Sequence, residues 1–183
     1  ILQTITFELR GEKRNLEAFE RLLIRFDLYN AKVQFAETYN GVIPKMNAVK
    51  KMYWEEAFHP ILLLKNNELN LPTIGQDFDL KKEKRFLVIS GPNAGGKSIT
   101  LKTVGLLQIM FQSGLFVPVK DVSEFCWFNN ILSDIGDNQS IDNQLSTYSY
   151  RLSRMKLFLN VVNEDSLILL DEFGSGSDPD LGG

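Results

Sequence analysis

Phe86-Leu87-Val88-Ile89-Ser90-Gly91-Pro92-Asn93-Ala94-Gly95-Gly96-Lys97-Ser98-Ile99-Thr100 decides how the rest of this 183-residue chain is read. Four consecutive apolar residues, without alternation, suit a parallel strand covered on both faces. They run into residues 91–98, which fit G-x-x-x-x-G-K-[ST]. From Thr100 to Ser113 apolar residues recur at helical spacing through Leu101, Val104, Leu107 and Met110, closed by Gly114. Strand, glycine loop and helix are the setting in which this motif holds phosphate. The glycines let successive backbone N–H groups converge on phosphate oxygens, and the helix starting near Lys97 turns its positive end toward them. In that reading Lys97 neutralises the β- and γ-phosphates of a nucleotide and the Ser98 hydroxyl is a magnesium ligand. Gly91, Pro92, Asn93, Ala94, Gly95, Gly96, Lys97, Ser98 and Ile99 are the candidate binding set.

Downstream, Leu167-Ile168-Leu169-Leu170 reads as a second buried strand and ends in Asp171-Glu172. A hydrophobic strand with a carboxylate at its end sets Asp171 as the metal-side acid, and Glu172 is the candidate general base for the attacking water. Acids after a strand are common at surfaces, so the weight comes from their position 74 residues beyond Lys97. Between the strands lie residues 117–128, a polar loop over 134–147 and a helix from about Ser146 through Asn160. Strands alternating with helices imply an α/β sheet whose ligand chemistry sits at the carboxyl ends of the strands.

Upstream, residues 1–39 contain no proline and carry apolar residues three and four apart: Ile1, Ile5, Leu9, Leu16, Phe19, Leu22, Leu23, Phe26, Tyr29, Val33 and Ala36. The spacing predicts a long amphipathic helix, bent or broken near Gly11, with its aromatic stripe packed on a partner helix. Asn40-Gly41 and Pro44 stop it. Residues 42–84 are irregular, with possible short strands at 61–64 and 78–80. His59, the single histidine, takes no assigned role, and Cys126, between Phe125 and Trp127, reads as core.

Composition narrows the classes. Hydrophobic residues are 44% and charged ones 23%, with 13 Phe and 6 Pro, which fits a globular chain rather than a disordered one. One cysteine excludes an intrachain disulfide framework and suggests a reducing compartment, hence cytoplasm. No apolar run approaches the ~18 residues of a membrane span. The net charge of −3 hides a gradient: residues 121–183 carry 3 basic and 11 acidic side chains, and residues 61–120 carry 8 and 4. Nothing forms the basic stripe by which a protein holds nucleic acid directly. The absent initial Met and the ending at Gly182-Gly183 suggest a piece of a longer protein.

Residues 91–103 resemble the P-loop of the MutS family of ABC-type ATPases. Asp134-Ile135-Gly136-Asp137-Asn138-Gln139-Ser140-Ile141, Leu145-Ser146-Thr147-Tyr148-Ser149 and Asp171-Glu172-Phe173-Gly174-Ser175-Gly176-Ser177-Asp178-Pro179 look like its MutS-II subfamily rather than the mismatch-reading branch. Residues 1–39, with Ala31-Lys32-Val33-Gln34-Phe35-Ala36, look like the family's lever helix, and His59-Pro60-Ile61-Leu62 like the entry to its ATPase domain. Ser98 and Ser177 stand where that subfamily more often has Thr.

The resemblance implies an α/β P-loop NTPase of ABC/MutS type preceded by a helical lever. A lever or clamp-base segment over 1–41 leads into an ATPase domain over 42–183 that stops after the Walker B and D-loop motifs. It implies ATP and Mg2+ as ligands, with Ser98 and Asp171 at the metal. Gln139, with Asp137 close by, would sense magnesium and the attacking water, although the same residues suit a solvent-facing loop. Ser146 and Thr147 would open a signature helix reaching the γ-phosphate bound by a second subunit; an ordinary N-cap has the same residues. Asp178 would be the D-loop residue, and adenine would stack on an apolar residue of the 69–74 loop. A switch histidine and a nuclease-type domain would follow beyond Gly183. The function implied is ATP hydrolysis driving a homodimeric DNA-binding protein in DNA repair or recombination control, with DNA met through other parts of the protein and no membrane. A nucleotide-dependent, non-catalytic clamp on DNA or ribosomes is the alternative. A transporter ATPase is disfavoured, because Leu145-Ser146-Thr147-Tyr148 departs from the L-S-G-G-Q signature.

Overall fold

The computed structural model describes residues 2–81, 83–92, 95–136 and 144–171, without the side chains of Glu8 and of residues 144–150. Helix α1 (Leu2–Arg10) and helix α2 (Lys13–Glu37) break at Gly11-Glu12, where the sequence placed the bend. Their apolar stripe is open, with Phe19 63%, Leu23 64% and Phe26 70% exposed. Among the described residues, only the end of α2 is docked. Ala36 and Tyr39 are buried, the Tyr39 hydroxyl donates to Phe116 O at 3.1 Å, and Lys32 Nζ donates to Gly114 O at 2.9 Å.

Four strands follow the order β1-β4-β2-β3: β1 (Lys45–Met46), β2 (Met52–Ala57), β3 (Gln76–Leu80) and β4 (Glu124–Phe125). The central strand β2 lies antiparallel to β3 and β4, while β1 runs parallel to β4. Trp54 on β2 is wholly buried, stacked on Phe125 at 4.3 Å between ring centres and edge-on to Phe78 at 5.6 Å. These contacts anchor the core, because aromatic pairs add directional energy to a large buried area.

Helix α4 (Lys97–Gln112) carries this core across to a second sheet. Its Leu107 and Met110 join the Trp54 cluster, and Phe111 lies 4.9 Å from Phe125. Its Gly105 meets β6 (Ser166–Leu170), where an added Cβ would come 2.9 Å from a Leu169 methyl. Strand β6 pairs parallel with β5 (Asn130–Asp134) in unbroken register from Asn130↔Ser166 to Asp134↔Leu170. Helix α5 (Gln144–Val161) lies between them in the chain, giving the mixed α/β order that the sequence indicates.

Two expected strands are corrected. Residues 61–64 belong to α3 (Pro60–Glu68), because Pro60 opens the helix and His59 caps it, Nδ1 accepting from Leu62 N–H at 3.4 Å. Residues 86–89 form no strand and are not buried: Phe86 is 94% and Val88 87% exposed. Among the described residues no strand pairs with this run, since the β3 ladder ends at Leu80 and an isolated Lys81↔Lys84 bridge turns the chain. An apolar run becomes a buried strand only where neighbours take its N–H and C=O groups and cover its faces.

Candidate functional site

The glycine loop and the first turn of α4 are one piece of local structure. Gly95 N–H donates to Pro92 O at 2.9 Å, closing the turn before the helix. Gly96 is the N-cap residue at φ 82°, a left-handed conformation that a side chain would disfavour. Gly96 has no side chain with which to cap α4, and the start of a helix carries positive potential.

Lys97 is half-buried and folds back, its Nζ donating to Gly91 O at 2.6 Å across the loop. Ser98 is exposed beside it and Ile99 half-buried. At Gly91 a Cβ would meet nothing within 4 Å, so the space beside this residue is open. Open space, helix donors and a lysine drawn to a carbonyl oxygen form a cradle for a phosphate chain. The residues present therefore fit a nucleotide. An open cleft over β2 and β3, by contrast, is lined by Tyr53, Glu55, Glu56, Asp77 and Asp79, and its acidic walls would repel phosphate.

The structure gathers Gly91, Pro92, Gly95, Gly96, Lys97, Ser98 and Ile99 in this loop. Asn93 and Ala94 lie outside the described residues, as do Asp137, Gln139, Glu172 and Asp178. Asp171 follows β6 directly and its N–H donates to Asp134 O at 3.0 Å, so two acidic residues sit together where the parallel pair ends. Ser146 and Thr147 are in the first turn of α5, their side chains outside the description. Among the described residues no group of three His, Cys, Asp or Glu could by itself hold a metal.

Three residues escaped sequence reasoning. Arg154 on α5 pairs with Asp134 at 3.2 Å and also donates to Ser133 O, tying the helix to the end of β5. Gln76, the first residue of β3, donates from Nε2 to Thr100 Oγ1 at 2.7 Å, and Thr100 Oγ1 donates to Gly96 O at 2.9 Å. Only the i→i+4 spacing of Gly96 and Thr100 was legible beforehand. Cys126 is buried as expected, and burial pushes its thiol pKa up, away from reactivity.

Residues 87–182 match the sequence profile of MutS domain V. The whole chain aligns with proteins named endonuclease MutS2: 41% identical in Pediococcus pentosaceus over 182 residues, and 38% in Ligilactobacillus salivarius and in Acetivibrio thermocellus over the same length. In each case the chain spans 22% of the relative's length. With more than half of its residues inside the domain V profile, the chain belongs to the MutS family.

Proposed function

We propose that this chain is a nucleotide-binding and hydrolysing part of a dimeric, DNA-acting MutS-type protein, with a helical lever over residues 1–41 and a P-loop ATPase domain from 42 onward. The observation that carries the reading is the glycine loop at the N-terminus of α4, with Lys97 drawn across it to Gly91 O inside the segment that matches MutS domain V. Membership in the MutS family, with MutS2 proteins among the relatives, supports nucleotide-dependent work on DNA. None of the described helices is long and apolar enough to cross a membrane.

ATP with Mg2+ supplies a polarised γ-phosphate when bound. The residues of this chain would do the rest. Backbone N–H groups of the loop and of the first turn of α4 hold the phosphates, and Lys97 exchanges its carbonyl partner for them. Ser98 and Asp171 would hold the cation, and Glu172 would accept a proton from the attacking water. Gln139 orients that water. Ser146 and Thr147 reach the nucleotide held by a second subunit, because a helix N-terminus offers donors to an anion.

The deciding experiment is calorimetry on the full-length protein with Mg2+ and a non-hydrolysable ATP analogue. Lys97→Ala should lose at least about tenfold in affinity, since each charge-assisted hydrogen bond contributes about 1.5–3 kcal/mol. Undiminished binding by a folded Lys97→Ala protein rules the reading out. Turnover gives the catalytic part: Glu172→Gln should bind the analogue normally and hydrolyse ATP about 10²- to 10⁴-fold more slowly.

A further inference from the structure

The paired strands β5 and β6 meet a helix on each face. On one face Leu169 touches α4 at Gly105. Side chains alternate along a strand, so Leu170 and its register partner Asp134 face the other way, toward α5. There Asn130 Nδ2 donates to the carbonyl oxygen of Val161, the last residue of α5, at 3.3 Å. Asp134 pairs with Arg154 at 3.2 Å, about two turns nearer the start of the helix. Helix α5 is thus held at its end and again at Arg154.

The Arg154 contact has direction as well as charge. Its Nη1 lies on the Asp134 carboxylate, while Nη2 donates to Ser133 O, and the guanidinium carbon sits 5.6 Å from the centre of the Phe158 ring one turn along the helix. A planar fork bonded to two adjacent strand residues sets an angle that a single point charge does not. The Asp134 side chain is only 13% exposed, so solvent and salt screen the pair weakly. The backbone of Asp134 also accepts from Asp171 N–H at 3.0 Å, so the residue that anchors α5 is bonded to Asp171 as well.

Length magnifies the anchor. From Val161 back to Gln144 the helix runs about 25 Å, so a tilt of about 5° at its far end would carry the first turn, with Ser146 and Thr147, by about 2 Å. A misplacement of about 1 Å in a reacting geometry can cost about 10²-fold in rate.

We infer that Arg154 is a positioning residue of the composite nucleotide site: through Asp134 and Ser133 O it sets the direction of α5, and so the place of Ser146 and Thr147 against the nucleotide of a second subunit. The inference rests on the proposed function, in which the start of α5 serves the other subunit's site.

The test uses the full-length protein, with steady-state ATP turnover, calorimetry with Mg2+ and ADP, and thermal unfolding. Arg154→Met keeps a long apolar stem and removes both donors. Its kcat should fall about 10- to 100-fold, while ADP affinity, which depends on the variant's own glycine loop, stays within about twofold of the wild type. Asp134→Asn removes the same ion pair from the other side and should also lower kcat. The double variant should be no slower than the slower single one, because both changes remove one interaction. Mixing variants gives the positional readout. In a heterodimer with Lys97→Ala, the one intact loop lies on the Arg154→Met chain and faces an α5 that keeps Arg154. Turnover should then rise well above that of either variant alone, which a plain loss of stability in the Arg154→Met chain would not allow. Wild-type kcat in Arg154→Met overturns the inference. So does a mixture without recovery when Ser146→Arg mixed with Lys97→Ala does recover, and in that case the composite site stands without Arg154. If neither mixture recovers although heterodimers form, the composite-site reading itself fails and the inference with it. Should Arg154→Met not fold, Asp134→Asn carries the same mixing test.

Discussion

Two regions meet on α4 and are built in opposite ways. The sheet around Trp54 closes itself: Trp54, Phe78, Phe125, Leu107 and Met110 are all buried, and the rings contact one another at 4.3–5.6 Å. The glycine loop and its surroundings stay open among the described residues, with Ser98 exposed, Phe86 and Val88 facing solvent, and a glycine at the start of the helix. The difference separates two tasks. Side chains that fill a core hold the fold, whereas backbone donors left without partners hold a ligand, and few residues can serve both ends at once.

The sharpest way to break this comparison is to damage the closed region. Trp54→Ala removes the ring between Phe78 and Phe125 and should destabilise the region by about 3–5 kcal/mol. Hydrogen exchange in the full-length protein reads this locally: amides of β2 and α4 should lose protection. Unchanged protection there would mean that the Trp54 cluster does not carry the stability assigned to it.

The seam between the regions comes next. Gly105 lets α4 approach Leu169 so closely that a Cβ would lie 2.9 Å from a methyl. Gly105→Val should overpack the seam at a cost of about 1–3 kcal/mol. Gly105→Ala should be nearly neutral, because the Leu169 methyl ends a flexible side chain and Ala favours helix over Gly by up to about 1 kcal/mol. Equal exchange protection of α4 and β6 in the Val variant and the wild type would loosen that contact.

In the open region the effects should divide the other way. Lys97→Ala is expected to change stability by less than about 0.5 kcal/mol, as for surface substitutions away from packing. Its loss falls on nucleotide affinity instead. A Lys97→Ala protein that melts far below the wild type would show that the Lys97 Nζ to Gly91 O bond holds the fold, and the division would fail.

The same contrast explains what could be read in advance. The break at Gly11, the end of the long helix before Asn40 and strand β6 were legible because each is a local pattern of periodicity or turn chemistry. Residues 86–89 misled because four apolar residues specify a buried run and not the neighbours that bury it. Residues 61–64 misled for a related reason: a short apolar run suits helix or strand, and Pro60 at the first helical position was the signal that decides. Strand β2 was missed because Glu55 and Glu56 interrupt its alternation where the register shifts between Trp54 and Ala57. At the site, the G-x-x-x-x-G-K-[ST] pattern located the loop. Gln76 had no signal at all, since a glutamine at the start of a strand acquires its partner only through the tertiary fold.

The smallest expected effect belongs to His59, which joins the closed sheet to α3. Burial, then the nearby charge of Lys102, lowers its pKa below the ordinary value of 6.5. The imidazole is thus neutral at pH 7, as its role requires, because Nδ1 must keep a lone pair to accept from Leu62 N–H. A histidine whose folded pKa lies below its unfolded one binds protons more readily when unfolded. Its contribution is therefore fully present above the unfolded pKa and lost as pH falls through the folded one. Protonation also sets a positive charge at a helix N-terminus, against the dipole. Protection factors of the α3 amides, corrected for intrinsic exchange, should fall between pH 7.5 and 5.5 in the wild type. In His59→Asn, where the cap is kept and the titrating group removed, they should fall less. Because Lys102 lies on the helix that the glycine loop begins, the same variant tests whether the pH response of the cap stays within α3. An equal decline in both proteins would take His59 out of the acid response and leave the cap a purely structural one.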